Sequence, residues 1–422
     1  MIAPFRNHLP VKIRFGDGVA SQLGAVLDEE GAERPFLIMD RGLDQFVPGV
    51  AAAIAPLEAA VRFEKDAGEP TVAVVEQAAE TLAASGCDAV VALGGGSSMD
   101  TAKAARLVVG QGGPYLRFAA GGVAYEAPTM PLVCVPTTAG TGSEVSGGAV
   151  ITDQDTHIKA GIASPFLRAQ HALVDATLTH GLPPRLTAYT GIDALAQAMA
   201  ALVVTARTPV GDAIGLEGTR LAGGALVRAV RDGSDADARS EMMCASLMGG
   251  LAMNISDCGS EHSIAQAIGG LLGLPHGLTI GLVLAETMDR DRRFVPQQFE
   301  RIADALGEPE DGSGDGSRAV RAVRRILDEL EFETLQSVGL GEDHLDELAE
   351  HALADYFISV APSPWSHDEV VAALRAGLAL GDGRESVAEG RWGCWSSLWR
   401  FCSSLRVARI TAGVARIDQN TP

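Results

Sequence analysis

The sequence predicts two folded units, a parallel α/β sheet covered by helices on both faces and then an all-α unit. Three observations carry this. Residues 1–182 alternate short apolar runs with helix-spaced segments, separated by glycine turns. From GLPPRLTAYTGIDALAQ onward, stretches rich in Ala, Leu, Met, Glu and Arg run to about residue 380 with almost no β-branched runs. A chain of 422 residues is also too long for one small core.

The elements follow in order. RPFLIMD (34–40) is a short apolar run ending in an acid, and reads as a buried strand. VAVVEQAAETLAASG (72–86) has helical spacing and stops at a glycine. CDAVVALGGGSSMDTAKAARLVV (87–109) reads as buried strand, glycine turn and helix. PLVCVPTT (131–138) is another buried strand ending in a polar turn, and GAVITDQD (148–155) a hairpin strand with its turn. The double proline at 183–184 marks the boundary to the helical unit, taken as 183–381. GEPEDGSGDGS (307–317) is an exposed loop within it. Residues 382–422 change texture: they hold three of the four tryptophans and two of the six cysteines. They read as an atypical tail outside the core, from a shifted reading frame or a fusion; an amphipathic docking segment is the alternative.

Composition narrows the class. The chain is 47% hydrophobic and 21% charged, with a net charge of −21 that disfavours nucleic-acid and anionic-membrane partners. No run of 18 uninterrupted apolar residues occurs, and MIAPFRNHLPVKIRFG lacks the apolar stretch of a signal peptide. A cytoplasmic protein without a membrane partner is expected. The six cysteines form no CxxC pair and read as reduced thiols.

Two turns point to a nucleotide. In ALGGGSSMDTAK, Gly94, Gly95, Gly96 and Ser97 stand between a strand and a helix, where backbone N–H groups and the helix N-terminus can meet a pyrophosphate. This is neither GxGxxG nor the GxxxxGK[ST] loop, and a plain structural turn is the competing reading. A second polar turn, PTTAGTGSEVS (136–146), also follows a strand. Both lie where an open α/β sheet of the Rossmann-like kind presents its ligand crevice. Asp40, ending the earlier strand, suits the ribose hydroxyls of NAD; a turn or N-cap acid is the alternative.

The helical unit carries a candidate metal set. Asp193 and Gln197 share one helix face at i and i+4, as do His262 and Gln266. His276 follows a Leu-Pro turn. Two histidines alone are more often structural than ligating; their company with Asp193 argues for a metal.

As a set, GGGSSMDTAK, PTTAGTGSEVS, KAGIASPFLRAQHALVDATLT (159–179), TGIDAL and the PHG turn resemble the iron-containing (group III) alcohol dehydrogenase family, over about residues 8–380. The resemblance implies a dehydroquinate synthase-like architecture: an NAD-binding α/β domain, a helical domain and a catalytic divalent metal in the cleft between them. It places Asp193, His262 and His276 at metal-binding positions. Gln197 stands where iron-dependent members have a histidine as fourth ligand. Gln266 stands where many have an active-site histidine that contacts substrate or relays protons, and Ala200 where an acid often follows. Three protein ligands with one open position are also the ordinary design of a catalytic zinc site, so Fe²⁺ and Zn²⁺ both stay open. Gly95, Gly96 and Ser97 are expected to hold the pyrophosphate. Thr137, Thr138, Thr141 and Ser146 are expected to line the cofactor, with Lys159 and Leu178 facing it. Asp100 and Lys103 open the helix after the glycine loop; Asp100 also reads as a first-turn acid. The implied reaction moves hydride between a small alcohol and nicotinamide, reducing an aldehyde or ketone in reverse, in a homodimer or larger homo-oligomer. Three alternatives remain at this point: a metal-independent reductase of an activated carbonyl, a catalytically silent NAD-binding protein, and a dehydroquinate-synthase-like lyase.

Overall fold

The computed structural model describes residues 4–379 except positions 56, 58, 59, 120, 122, 157 and 158; the atypical 382–422 tail lies outside the described residues. Eight strands are described: β1 (Lys12–Phe15), β2 (Pro35–Asp40), β3 (Val61–Lys65), β4 (Ala89–Gly94), β5 (Leu132–Pro136), β6 (Gly148–Thr152), β7 (Lys159–Ala163) and β8 (His171–Val174). Six form one parallel sheet in the order β1-β8-β5-β4-β2-β3, and β6 and β7 form a separate antiparallel hairpin.

The sheet is buried on both faces, and the period of two shows it. Phe36, Ile38, Val90, Ala92 and Cys134 enter one apolar cluster; Leu37, Met39, Val91, Leu93, Val133 and Val135 enter another on the opposite face. The covering helices are α1 (Leu23–Glu29), α2 (Leu43–Phe46), α3 (Pro48–Ile54), α4 (Val72–Ser85), α5 (Gly96–Gln111) and α6 (Leu116–Ala119). Thr71 caps α4 by accepting from the Val74 N–H, and Gly86, at φ 65°, ends it in the left-handed conformation that glycine adopts without strain.

The helical unit begins where the double proline stands. Its helices are α7 (Pro184–Val203), α8 (Pro209–Arg231), α9 (Ala236–Ser256), α10 (Ser260–Leu272), α11 (His276–Asp291), α12 (Pro296–Ala305), α13 (Ser317–Glu329), α14 (Leu345–Ala354) and α15 (His367–Ala379). Proline at the first turn starts α7, α8 and α12; Thr208 and Asp235 cap α8 and α9. The stretch 307–316 connects α12 and α13 and is largely exposed. Helix α7 is apolar and long enough to cross a bilayer by composition, but 83% of its apolar window is buried within the fold, so it is the central core helix. It is hemmed in closely: a Cβ on Gly215 would meet the Ala198 carbonyl at 2.5 Å, and one on Gly249 the Ala194 carbonyl at 3.0 Å.

The two units meet through backbone. The turn after β5 lies against α7 and α9: a Cβ on Gly140 would stand 2.8 Å from Thr190 Cβ, and one on Gly142 2.4 Å from Gly250 Cα. Gly142 also holds φ 59°. This contact sets the nucleotide-side loops one helical turn from Asp193.

Candidate active site

The glycine turn takes the form expected of a phosphate cradle. Gly94 ends β4 at φ 150°, Gly95 precedes α5 in extended conformation, and Gly96 is its first residue. There is little room for a side chain: a Cβ on Gly96 would lie 2.6 Å from Thr141 Cγ2, and one on Gly95 would sit tightly, 3.3 Å from Thr138 Oγ1. The two loops therefore pack on each other, with Thr138 and Thr141 half-buried between them and Thr137 fully buried, its N–H donating to the Gly94 carbonyl at 2.9 Å. Ser97 Oγ donates to the Gly68 carbonyl at 2.6 Å, so the 66–70 loop after β3 reaches over the glycine turn.

The remaining cofactor-side residues occupy varied places. Asp40 lies beside the glycine turn; its Oδ1 is 2.5 Å from the buried Lys65 ammonium and accepts from Ser98 Oγ at 3.3 Å. Its charge is thus locally compensated by the Lys65 ammonium. Asp100 and Ser146 do not present free polar groups. The Asp100 carboxylate accepts from Ser143 Oγ at 2.7 Å and Val150 N at 2.9 Å, while the buried Lys103 ammonium donates to Ser143, Ser146 and the Gly148 carbonyl. This network braces the second loop onto α5, beneath the cradle. Leu178 is buried in the core, close enough to α3 that a Cβ on Gly49 would touch it at 2.7 Å. Lys159, on β7, pairs with Glu69 at 3.0 Å.

Three side chains from three helices converge on the other wall. Asp193 comes from the middle of α7, His262 from the first turn of α10, and His276 opens α11 after the Gly273–Pro275 turn. Asp193 Oδ1 stands 3.5 Å from His262 Nε2 and 3.7 Å from His276 Nε2, and the three ligand atoms lie within 4.8 Å of one another. Those separations exceed a hydrogen bond but suit a shared cation. Asp193 Oδ1, His262 Nε2 and Gln197 Oε1 are all buried without a hydrogen-bond partner among the described residues. Orphaned electron-rich atoms on two members of the converging triad fit a divalent ion, and cost free energy without one.

The surroundings prepare these groups. Burial opposes the Asp193 charge, but His276, His262 and the Gln197 amide outweigh it and leave its pKa below the usual value. Burial pushes His276 down to about 4, which keeps the ring neutral, the form that ligates. Glu261 Oε1 sits 2.8 Å from His262 Nδ1; a carboxylate only accepts, so Nδ1 carries the proton and Nε2 is left free for a cation. Glu261 also accepts from the Gly259 N–H, and Ser260 Oγ donates to Asp291, tying the start of α10 to the end of α11. Gln266, one turn beyond His262, is half-buried. Phe357 stands edge-on to the His262 ring at 5.9 Å. Glu69, Glu261 and Phe357 were not singled out by the sequence reading; only Glu261, beside His262, carried a local signal.

A glycine turn between a parallel strand and a helix N-terminus, together with a buried acid–His–His cluster in the helical unit, is the equipment of a nicotinamide-dependent oxidoreductase. The comparisons agree. Residues 10–176 match the family model for iron-containing alcohol dehydrogenase, and residues 187–378 match that for the C-terminal domain of the Fe-containing alcohol dehydrogenase family. A choline dehydrogenase of Bacillus subtilis (strain 168) is 33% identical over 82% of this chain and 88% of its own. A 4-hydroxybutyrate dehydrogenase of Cupriavidus necator is 36% identical, over 82% and 92%. Among solved structures, sulfoacetaldehyde reductase from Bifidobacterium kashiwanohense in complex with NAD⁺ superposes with a TM-score of 0.80 at 26% identity, covering 89% of this chain and 99% of that one. The chain belongs to the iron-containing alcohol dehydrogenase family. It is an oxidoreductase acting on the CH–OH group.

Proposed function

We propose that the protein interconverts a small alcohol with its aldehyde or ketone, using NAD(H) at the glycine cradle and one divalent cation at Asp193, His262 and His276. The convergence of the Asp193, His262 and His276 ligand atoms, with Asp193 Oδ1 and His262 Nε2 buried and unpartnered among the described residues, carries this reading. When bound, the cation polarises the substrate oxygen and the nicotinamide exchanges hydride. The chain supplies the rest. Asp193 stays ionised and His276 neutral, so the pair needs no proton rearrangement to ligate. Glu261 holds the His262 tautomer. Gln197 offers its unpartnered amide oxygen as a weak fourth donor, leaving three firm protein ligands and both Zn²⁺ and Fe²⁺ open. Gln266 does not titrate, so a proton leaving the substrate goes to water, a ribose hydroxyl or another side chain.

A metal-independent reductase or a silent NAD-binding protein has no use for the buried triad. We further infer a cytoplasmic homo-oligomer; four described cysteines are free thiols, and edge strand β1 exposes Ile13 and Phe15. The test is elemental analysis of protein purified without chelator, paired with alcohol-dependent NADH formation. About one Zn or Fe per chain, with activity lost on chelation and restored by either ion, is expected. Activity that survives exhaustive chelation overturns the metal-dependent mechanism.

A further inference from the structure

The wall beside the triad is aromatic and acidic, and it has a use the reaction alone does not require. Phe357 stands edge-on to His262 at 5.9 Å, and Tyr356 stands edge-on to Phe357 at 5.7 Å. Tyr356 is 60% exposed, open to an arriving molecule. Its hydroxyl donates to Asp257 Oδ2 at 3.1 Å. The turn that carries both rings is fixed to the ligand helix: Ser263, next to His262, donates to Asp355 at 2.5 Å and accepts from the Ile358 N–H at 2.7 Å.

Asp257 is the unusual member. It ends α9 at φ 74° and ψ 174°, a conformation that side-chain-bearing residues avoid, so the fold holds its carboxylate there against backbone strain. The group is half-buried, and burial pushes its pKa up. It forms no ion pair with any lysine, arginine or histidine among the described residues; the phenol is its partner. Lys159, which also reaches the triad's surroundings, is already paired with Glu69, and Arg168 is held by Asn254. A carboxylate with an uncompensated charge beside two aromatic rings is the chemistry that attracts an organic cation.

We propose that the substrate is an alcohol bearing a cationic group, a quaternary or protonated amine a few bonds from the hydroxyl, which Asp257, Tyr356 and Phe357 hold while the hydroxyl faces the triad. This rests on the alcohol dehydrogenase reading above and adds the substrate's charge to it. Asp257 supplies the counter-charge, and the two rings supply polarisable surface for the cation's alkyl groups.

The test uses the metal-loaded enzyme with NAD⁺ and three alcohols: choline, its uncharged isostere 3,3-dimethylbutan-1-ol, and the anionic isethionate. Choline is expected to exceed the isostere in kcat/KM by about 30-fold, the scale of a desolvated cation–aromatic contact. In Asp257→Asn that ratio should fall toward one. In parallel, ligand-observed NMR should show broadening of the tetramethylammonium methyl signal by the native protein and its loss in Asp257→Asn. A choline-to-isostere ratio near one in the native enzyme, or a preference for isethionate, overturns the proposal. Failure to oxidise all three alcohols, and butan-1-ol as well, counts against the alcohol dehydrogenase reading itself. The tetramethylammonium signal then decides the cation pocket alone: Asp257-dependent binding supports it, and no binding overturns it.

Discussion

Glu144 sits in the turn after β5 that lies against α7 and α9, is 2% exposed, and forms no ion pair among the described residues. Burial lifts its pKa from 4.5 to about 7, against the pull of its own backbone N–H and Lys103. The native state therefore holds this proton more tightly than the unfolded chain. Between pH 4.5 and 7 the folded form binds more protons, so this group's contribution to stability falls as pH rises through that window. We expect Glu144→Gln to have little effect near pH 4 and to gain up to about 3 kcal/mol relative to the native chain above pH 7. Urea unfolding of both proteins at pH 4.5 and 8 measures it; a pH-independent difference would refute the assignment. At this scale the triad was legible, because Asp193 and His262 lie on helix faces beside turns whose wording is distinctive. Glu69 and Phe357 were not. Each reaches the site from a loop far off in sequence, and neither has a neighbour that announces the chemistry.

Strands were legible where burial produced a long unbroken apolar run; β8, HALV, is fully buried but only four residues long, and it was missed. The strands β2, β4 and β5 are apolar at nearly every position because both faces are covered, and each stood out as a run. Strands β1 and β3 lie at the sheet edges, carry Lys and Arg or Glu, and escaped notice. The hairpin strand 148–152 was visible, but its partner β7, with only Ile162 buried in KAGIA, was not. Strand order needs long-range pairing and cannot be read from local pattern. The contact between the β5 turn and α9 gives the prediction at this scale. A Cβ at Gly250 would stand 2.7 Å from Gly142 Cα and 2.8 Å from its carbonyl, both backbone, which cannot swing aside. Gly250→Ala should cost about 1–3 kcal/mol in thermal or denaturant unfolding. Because the displaced turn also carries Thr138 and Thr141, NAD⁺ affinity by calorimetry should weaken with it. An unchanged NAD⁺ affinity in a destabilised variant would separate the turn from the cofactor.

The proline pair at 183–184 stands where the first long helix, α7, begins, after the last strand of the parallel sheet. What the sequence concealed is how closely the two walls are tied. Ser97 of the phosphate cradle is bonded to Gly68, and the next residue, Glu69, pairs with Lys159. Lys159 and His276 draw the Glu69 carboxyl below its usual pKa, against the partial desolvation that works the other way. Two adjacent residues of one loop thus touch the glycine turn, through Gly68, and the first residue of the third ligand's helix, through Glu69.

Such a loop gives the two binding events a physical route to coupling. If dinucleotide binding reorders residues 66–70, it alters the free energy of placing a cation beside His276, and reciprocity requires the cation to alter dinucleotide affinity by the same factor. Calorimetric titration of Zn²⁺ with and without NAD⁺, and of NAD⁺ with and without Zn²⁺, should return equal ratios in the range of about 5- to 150-fold. In Glu69→Gln both ratios should shrink together toward one. The strength with which this enzyme holds its metal would then depend on how much cofactor surrounds it.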